Sequence, residues 1–462
     1  MKDPERRRLP VLPETFVSSL DPHDGKRRLP IPADVHGRFT TARRIGFGLL
    51  VAILIIAPLA RLGGRPLVFL DVARRQFFLF GASFGESDIH LLFFVLTGLG
   101  FSLVVATAML GRVFCGFACP QTVLLEGLFR PIERLFEGSR AARMKRDAGG
   151  WTVGRAARKV GKHLGFVLLA AAVSHAAMSL FVSWPGLAAM MQGSPSLHPQ
   201  AFAWGVVTTA VLYGHFAFFR EQFCLVLCPY GRIQGVLVDR DTLVVGYDER
   251  RGEPRGKAGD PTAGACVDCN RCVAVCPTGI DIRNGLQLDC IGCSACIDAC
   301  DEVMDKLERP RGLVRFDSQR GLDGERRRVM RPRLAIYAAL GVAGFGVFAV
   351  SVARHDDVAT QLLRAPGAPF VVEDGRVRNS FILVVGNHRD ATLKVEVSGK
   401  GEGLDFVLSP ASLELAPMGT VRLPLVVTGA AGTSSRTFHV AVTETSGGSP
   451  HEAEGRFLAP TH

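Results

Sequence analysis

With 462 residues the chain is long enough for two to four domains. A positive mean hydropathy of +0.22 together with a formal charge of +11 points to a membrane protein with basic cytoplasmic segments rather than a nucleic-acid binder. All twelve cysteines lie between Cys115 and Cys300, a distribution that a disulfide-stapled secreted domain would not show.

Residues 1–44 are polar and rich in Pro and Arg, so they read as a disordered cytoplasmic tail without a cleavable signal peptide. Five apolar stretches follow, and crossing a bilayer takes roughly 20 residues each. They are Ile45–Ala60, Ile89–Leu110, His163–Trp184, Ala201–Phe219 and Leu334–Val352. The first is short, with Arg43, Arg44 and Arg61 placed to snorkel from its ends. Lys and Arg alternate in number between the spans: ten in 1–44, three in 62–88, eleven in 111–162 and none in 185–199, with 220–333 strongly basic again. Cytoplasmic loops carry such an excess, so the amino terminus is predicted inside and the carboxyl terminus outside. In the outer loop 62–88, Asp71, Glu86 and Asp88 have Arg74 and Arg75 as pairing partners.

Residues 45–232 read as a four-span membrane domain with an internal repeat. Phe114-Cys115-Gly116-Phe117-Ala118-Cys119-Pro120 follows the second span, and Phe223-Cys224-Leu225-Val226-Leu227-Cys228-Pro229 follows the fourth. A spacing of four puts both sulfurs of a pair on one helical face. The proline favours the first turn of a new helix. Cys119 and Cys228 are then expected near helix amino termini, where the dipole lowers a thiol pKa. Four thiols at the membrane edge suit a soft ion such as Cu(I), reversible disulfide chemistry, or inert packing at a helix contact.

Between the motifs, Leu125–Arg146 reads as an amphipathic helix along the inner membrane face. Its Arg130, Arg134, Arg140, Arg143, Lys145 and Arg146 are expected on anionic headgroups. No aromatic-interleaved basic motif accompanies it, so no nucleic acid is expected as a partner. His163, His175 and His215 lie in the spans, where they are candidates for ligating a metal or a haem, relaying protons, or bonding one helix to another. Met190, Met191 and His198 offer soft ligands in an outer loop, although Met more often fills gaps.

Residues 233–333 carry the densest signal. Cys266-x2-Cys269-x2-Cys272-x3-Cys276-Pro277 is followed by Cys290-x2-Cys293-x2-Cys296-x3-Cys300. This is the bacterial two-cluster ferredoxin pattern, in which the fourth cysteine of each run serves the other cube. One [4Fe–4S] cluster is therefore expected on Cys266, Cys269, Cys272 and Cys300, and a second on Cys290, Cys293, Cys296 and Cys276. Zinc sites show two separated cysteine pairs instead. The fifth helix, 334–353, leads to an outer domain, 354–462. There Val377–Val385, Thr392–Val397, Val421–Val427 and Thr437–Val442 alternate as strands. That pattern predicts an immunoglobulin-like sandwich, without the antibody cysteine pair, acting as a binding or docking module.

The pieces together resemble the CcoG/FixG/RdxA family over nearly the full chain. The most specific are FCGFACPQT, FCLVLCPYGRIQ, CVDCNRCVAVCPTGIDIRNGLQLDCIGC and CIDACDEVMDKLERPRGLVRF. The resemblance implies a mixed multidomain membrane protein: an α-helical transmembrane bundle of about five spans, a bacterial two-[4Fe–4S] ferredoxin-like insert and a C-terminal immunoglobulin-like β-sandwich. It implies the bacterial inner membrane and a role in assembling cbb-type cytochrome c oxidase, as a cupric reductase passing electrons to Cu(II). Cys115, Cys119, Cys224 and Cys228 become the candidate catalytic residues and copper ligands. The implied partners are the bilayer, a cytoplasmic electron donor, a copper-exporting ATPase or copper chaperones, and oxidase assembly factors; a homodimer stays open. Two rivals differ in class. A quinol-linked electron conduit predicts quinol-dependent cluster reduction without copper dependence. A scaffold with structural clusters has no need of the duplicated cysteine pair.

Overall fold

The computed structural model describes residues 30–460, apart from 63–64, 73–75, 80–81, 85–88, 354–357, 388, 390, 418, 431, 433 and 448–449. Most of the amino-terminal tail therefore lies outside the described residues, as do Arg74, Arg75, Glu86 and Asp88. Two compact units are present. One holds most of the helices and residues 97–343; the other holds residues 70–96 and 344–462.

Five helices are long and apolar enough to cross a membrane. We denote them α1 (Arg38–Ile56), α2 (Ile89–Leu110), α3 (Val153–Met178), α4 (Pro199–Gly214, carried on to Phe219 by a wider turn) and α5 (Pro332–Ala353). Two begin well before the apolar stretch that announces them. Helix α1 starts at Arg38, so residues 38–44 are helical rather than part of a loose tail. Its first turn contains no acidic residue. Asp298, far along the chain, supplies the missing carboxylate: it accepts the N–H groups of Phe39 and Thr40 at 3.2 and 2.7 Å and the Thr40 hydroxyl at 2.7 Å. A negative charge there satisfies orphan amides and complements the helix dipole. Gly37 permits the approach, because a Cβ would fall 2.3 Å from the Asp298 carboxyl carbon. Helix α3 starts at Val153, where the Thr152 hydroxyl accepts the Arg155 N–H, and its first turns are basic rather than apolar.

The amphipathic segment differs from expectation in two ways. It is not one helix: a wide turn at Leu125–Phe129 and a helix Arg130–Glu137 are followed by a break at Gly138 (φ 75°) and a second helix Arg140–Ala148. Two of its arginines, Arg130 and Arg143, also turn inward. Arg130 is buried against Glu126 and Glu221, and Arg143 bonds Glu133 and Glu137 at 3.1 and 3.0 Å. Arg220, from the second half of the repeat, meets Glu133 at 2.8 Å. Buried guanidinium groups take carboxylate partners in preference to lipid because an unpaired buried charge costs several kcal/mol.

In the ferredoxin-type region two cysteine loops precede the helices Arg271–Ala274 and Ala295–Lys306, and the strand Val244–Tyr247 pairs antiparallel with Val314–Asp317. The second unit contains the sandwich. Its sheets are β1 (Val358–Arg364), β2 (Val371–Glu373), β3 (Arg376–Asn387), β5 (Leu404–Leu408) and β7 (Thr420–Ala430) on one side, and β4 (Leu393–Lys400), β6 (Ser412–Leu415), β8 (Arg436–Glu444) and β9 (His451–Phe457) on the other. Between them pack Leu383, Leu425, Val427, Phe438, Val440 and Phe457, all essentially without solvent contact. Every strand expected from alternation is present.

Candidate iron–sulfur and thiol site

The two cysteine runs adopt the same local backbone. Asp268 and Asn270 flank Cys269 with φ of 50° and 56°; Gly292 and Ser294 flank Cys293 with φ of 67° and 62°. Left-handed residues on both sides of the middle cysteine curl each loop tightly enough for neighbouring sulfurs to face one space. Arg283 locks the first loop by bonding Asp268, Asn270 and Asp281.

The sulfurs gather into two neighbouring groups, with Cys272 at the boundary between them. Cys276 lies within electrostatic reach of Cys290, Cys293 and Cys296, and those four line one cavity with Val245, Ile280 and Ile291 among its other walls. Cys300 lies beside Cys272 and Cys266 instead, and Cys272 beside Cys269. Backbone amides point at the sulfurs: Gly292 donates to Cys290 at 3.4 Å, and Ala295 to Cys293. Burial pushes the Cys272 thiol up to about 11 and those of Cys293 and Cys300 up to about 12. These side chains fit iron ligation. The donors are soft, they gather closely, and iron takes up the thiolate charge that burial otherwise opposes.

The second site is formed by the duplicated motif. Cys115, Cys119, Cys224 and Cys228 come from opposite halves of the membrane domain and meet: Cys224 is close to the other three, and Cys115 to Cys119 and Cys228. Cys119 is the residue before the helix Pro120–Leu124, and Cys228 the residue before Pro229–Leu237, as the prolines imply. The expected effect on acidity at Cys119 is reversed. Burial raises its pKa, and the N–H groups of Gln121 and Thr122 only partly oppose this. Burial likewise takes Cys115 to about 11 and Cys224 to about 12.

Several residues that motif reading did not single out hold this site together. Gln234, wholly buried, donates its amide to Cys115 Sγ at 3.3 Å. Gln121 donates to the Arg220 carbonyl at 3.0 Å and bonds His215 Nε2 at 2.6 Å. Arg112 bonds the carbonyls of Cys290 and Gly231, each at 3.1 Å, and that of Leu288. It thereby joins both halves of the repeat to the ferredoxin-type loop. Their common sign was available in the sequence as polar residues set inside otherwise apolar motif segments. The histidines are engaged in hydrogen bonds: His163 with Tyr213 at 3.1 Å, His175 with the Ala171 carbonyl at 2.7 Å, and His215 with Gln121. Met190 and Met191 fall on the short helix Trp184–Gln192, and His198 immediately precedes α4.

The two sites touch. Cys115 packs on the apolar cluster that contains Ile291, Cys293 and Ala295. Gly116 and the Gly292 loop approach so closely that a Cβ on Gly116 would stand 2.5 Å from the Gly292 oxygen.

Comparison with known proteins agrees with this layout. A family model described as a 4Fe-4S dicluster domain matches residues 219–319, one described as a 4Fe-4S binding domain matches 91–138, and the Ig-like fold at the C-terminal of FixG matches 348–460. The chain is 34% identical over 420 residues to the nitrogen fixation protein FixG of Rhizobium meliloti, covering 80% of each chain. It is 35% identical to protein RdxA of Cereibacter sphaeroides, covering 86% of this chain and 89% of that one, and 34% identical to RdxB of the same organism, covering 89% of each. The chain belongs to the FixG/RdxA family. As a member of that family it is a multi-pass membrane iron–sulfur protein of electron transfer, with an immunoglobulin-like carboxyl-terminal domain.

Proposed function

We propose that this FixG/RdxA protein is an oxidoreductase that reduces Cu(II) to Cu(I) in support of cbb-type cytochrome c oxidase assembly. Its amino terminus and ferredoxin-type region face the cytoplasm, and its sandwich faces the periplasm. The observation that carries this reading is the contact between the two sites: Cys115 packs on the cluster that contains Ile291 and Cys293, and Gly116 abuts Gly292. The eight cysteines of the ferredoxin-type region hold two clusters in the crossed arrangement, and when bound these supply single electrons at low potential. The chain's own groups do the rest. Gly116 and Gly292 keep the separation short by presenting no side chain. Arg112 fixes the relative positions of the two motifs and the cluster loop. The soft sulfurs of Cys115, Cys119, Cys224 and Cys228 suit copper held near them, since Cu(I) prefers thiolate surroundings. The reaction balances as one electron, drawn from a cytoplasmic reductant, added to each Cu(II). The Cu(I) formed passes to a copper-exporting ATPase or a chaperone.

The test is cupric reduction by the full chain in detergent, with Cu(I) trapped by a chelator. Replacing Cys115, Cys119, Cys224 and Cys228 together by Ser should abolish the reduction while the absorption of the ferredoxin-type clusters persists. Wild-type rates in that variant overturn the site. Cluster reduction that depends on quinol and ignores copper overturns the substrate and favours an electron conduit.

A further inference from the structure

We propose that Cys115, Cys119, Cys224 and Cys228 bind a third iron–sulfur cluster. This rests on the reading of these thiols as the exit for electrons, and it names the group that resides there.

The first sign is a hydrogen-bond donor aimed at sulfur in both sites. In the ferredoxin-type loop Cys290 accepts the N–H of Gly292 at 3.4 Å. Such amide donors aimed at sulfur are one of the levers by which a protein sets a cluster's potential. Gln234 adds a side-chain donor to Cys115 at 3.3 Å. Gly231 lets the backbone fold tightly around the second pair, because a Cβ there would sit 2.8 Å from the Cys224 oxygen and 3.8 Å from Cys228 Cβ.

Convergence of the sulfurs is the second sign. The four thiols come from both halves of the repeat and are near enough to interact with one another. A cube takes four such sulfurs, one on each iron.

The third sign is the match of a 4Fe-4S binding domain to residues 91–138, a stretch whose cysteines are Cys115 and Cys119 alone. Two cysteines cannot complete a four-cysteine cluster, and the repeat supplies the other two from Cys224 and Cys228. The dicluster-domain match, residues 219–319, includes that second pair. On this assignment the four thiolates belong to iron, and copper arrives beside them as a substrate instead of taking them as a ligand set.

Iron and acid-labile sulfide counting decides the matter on the full chain purified anaerobically in detergent, with copper measured in the same samples. Wild type should carry about twelve irons, four in each of three cubes. The variant Cys115→Ser, Cys119→Ser, Cys224→Ser, Cys228→Ser should lose about four of them and keep the remainder. A wild-type count of about eight irons overturns the third cluster. So does copper filling the thiols of the anaerobic protein. Should the fourfold variant fail to fold, the wild-type count alone gives the answer. Lost cupric reduction with no lost iron overturns this inference and leaves the proposed function standing. Lost iron with full cupric reduction does the opposite.

Discussion

Arg112 ties the thiol site to its surroundings without being one of its cysteines. One guanidinium reaches Gly231 in the second motif and Cys290 and Leu288 in the ferredoxin-type loop, from a position three residues before Cys115. A planar fork can serve several carbonyls at once, and an ammonium cannot. Arg112→Met is therefore expected to lower the thermal midpoint of the detergent-solubilised protein, at about 1.5–3 kcal/mol for each charged hydrogen bond lost, less where water replaces the carbonyl. Arg112→Lys should recover only part of it. Equal midpoints for the Met and Lys variants would show that the fork geometry is immaterial. At the same scale, Cys119 shows burial defeating the helix dipole. Position at a helix start is readable from Pro120, but the desolvation that decides the thiol's acidity depends on packing partners distant in sequence.

Among the elements, the broken helix after the first motif turns a basic surface into a buried ionic seam. Glu133 is the hinge of that seam, bonded to both Arg220 and Arg143. Burial opposes its charge, yet Arg220, Arg143 and Arg130 prevail and hold its carboxyl down at about 2. A carboxylate whose folded pKa is depressed stabilises the fold above its ordinary value of 4.5 and loses that contribution as pH falls toward 2. Glu133→Gln should accordingly cost about 3–5 kcal/mol at neutral pH by leaving Arg220 buried and unpaired. The gap between variant and wild type, followed by thermal midpoint, should narrow on acidification below pH 4.5; a gap constant with pH would contradict the role given to this carboxylate. Such a seam was hidden in the sequence. Arg130 and Arg143 look identical to lipid-facing arginines until Glu126, Glu137 and Glu221 are brought beside them. The spans, the doubled motif and both cysteine runs were legible because each rests on short-range spacing. The beginnings of α1 and α3 were not, since Asp298 caps one from far away and basic turns extend the other. Strand β9 was missed for a different reason: its inward positions are Ala453, Gly455 and Phe457, and two of those three are too small to register as apolar alternation. Gly455 is small because Phe438 fills the space, 2.3 Å from where a Cβ would stand.

Across the whole molecule, the cysteines and the immunoglobulin-like sandwich belong to different compact units. Phe438 has no solvent exposure and anchors the sandwich core beside Phe381 and Phe406. Phe438→Ala should destabilise that domain by about 3–5 kcal/mol. Iron content and cupric reduction should stay at wild-type levels, while limited proteolysis cuts within residues 358–457. Loss of iron in this variant would mean that the two units are energetically one. The amino-terminal start of α1 carries a different consequence. Its capping carboxylate, Asp298, lies between Cys296 and Cys300, on the helix that two cluster cysteines share. During synthesis the opening helix of the protein is made long before that residue exists, and its exposed amides wait for the iron-binding segment to emerge and fold. The amide cap of α1 is thus completed only when the helix carrying Cys296 and Cys300 has taken its place.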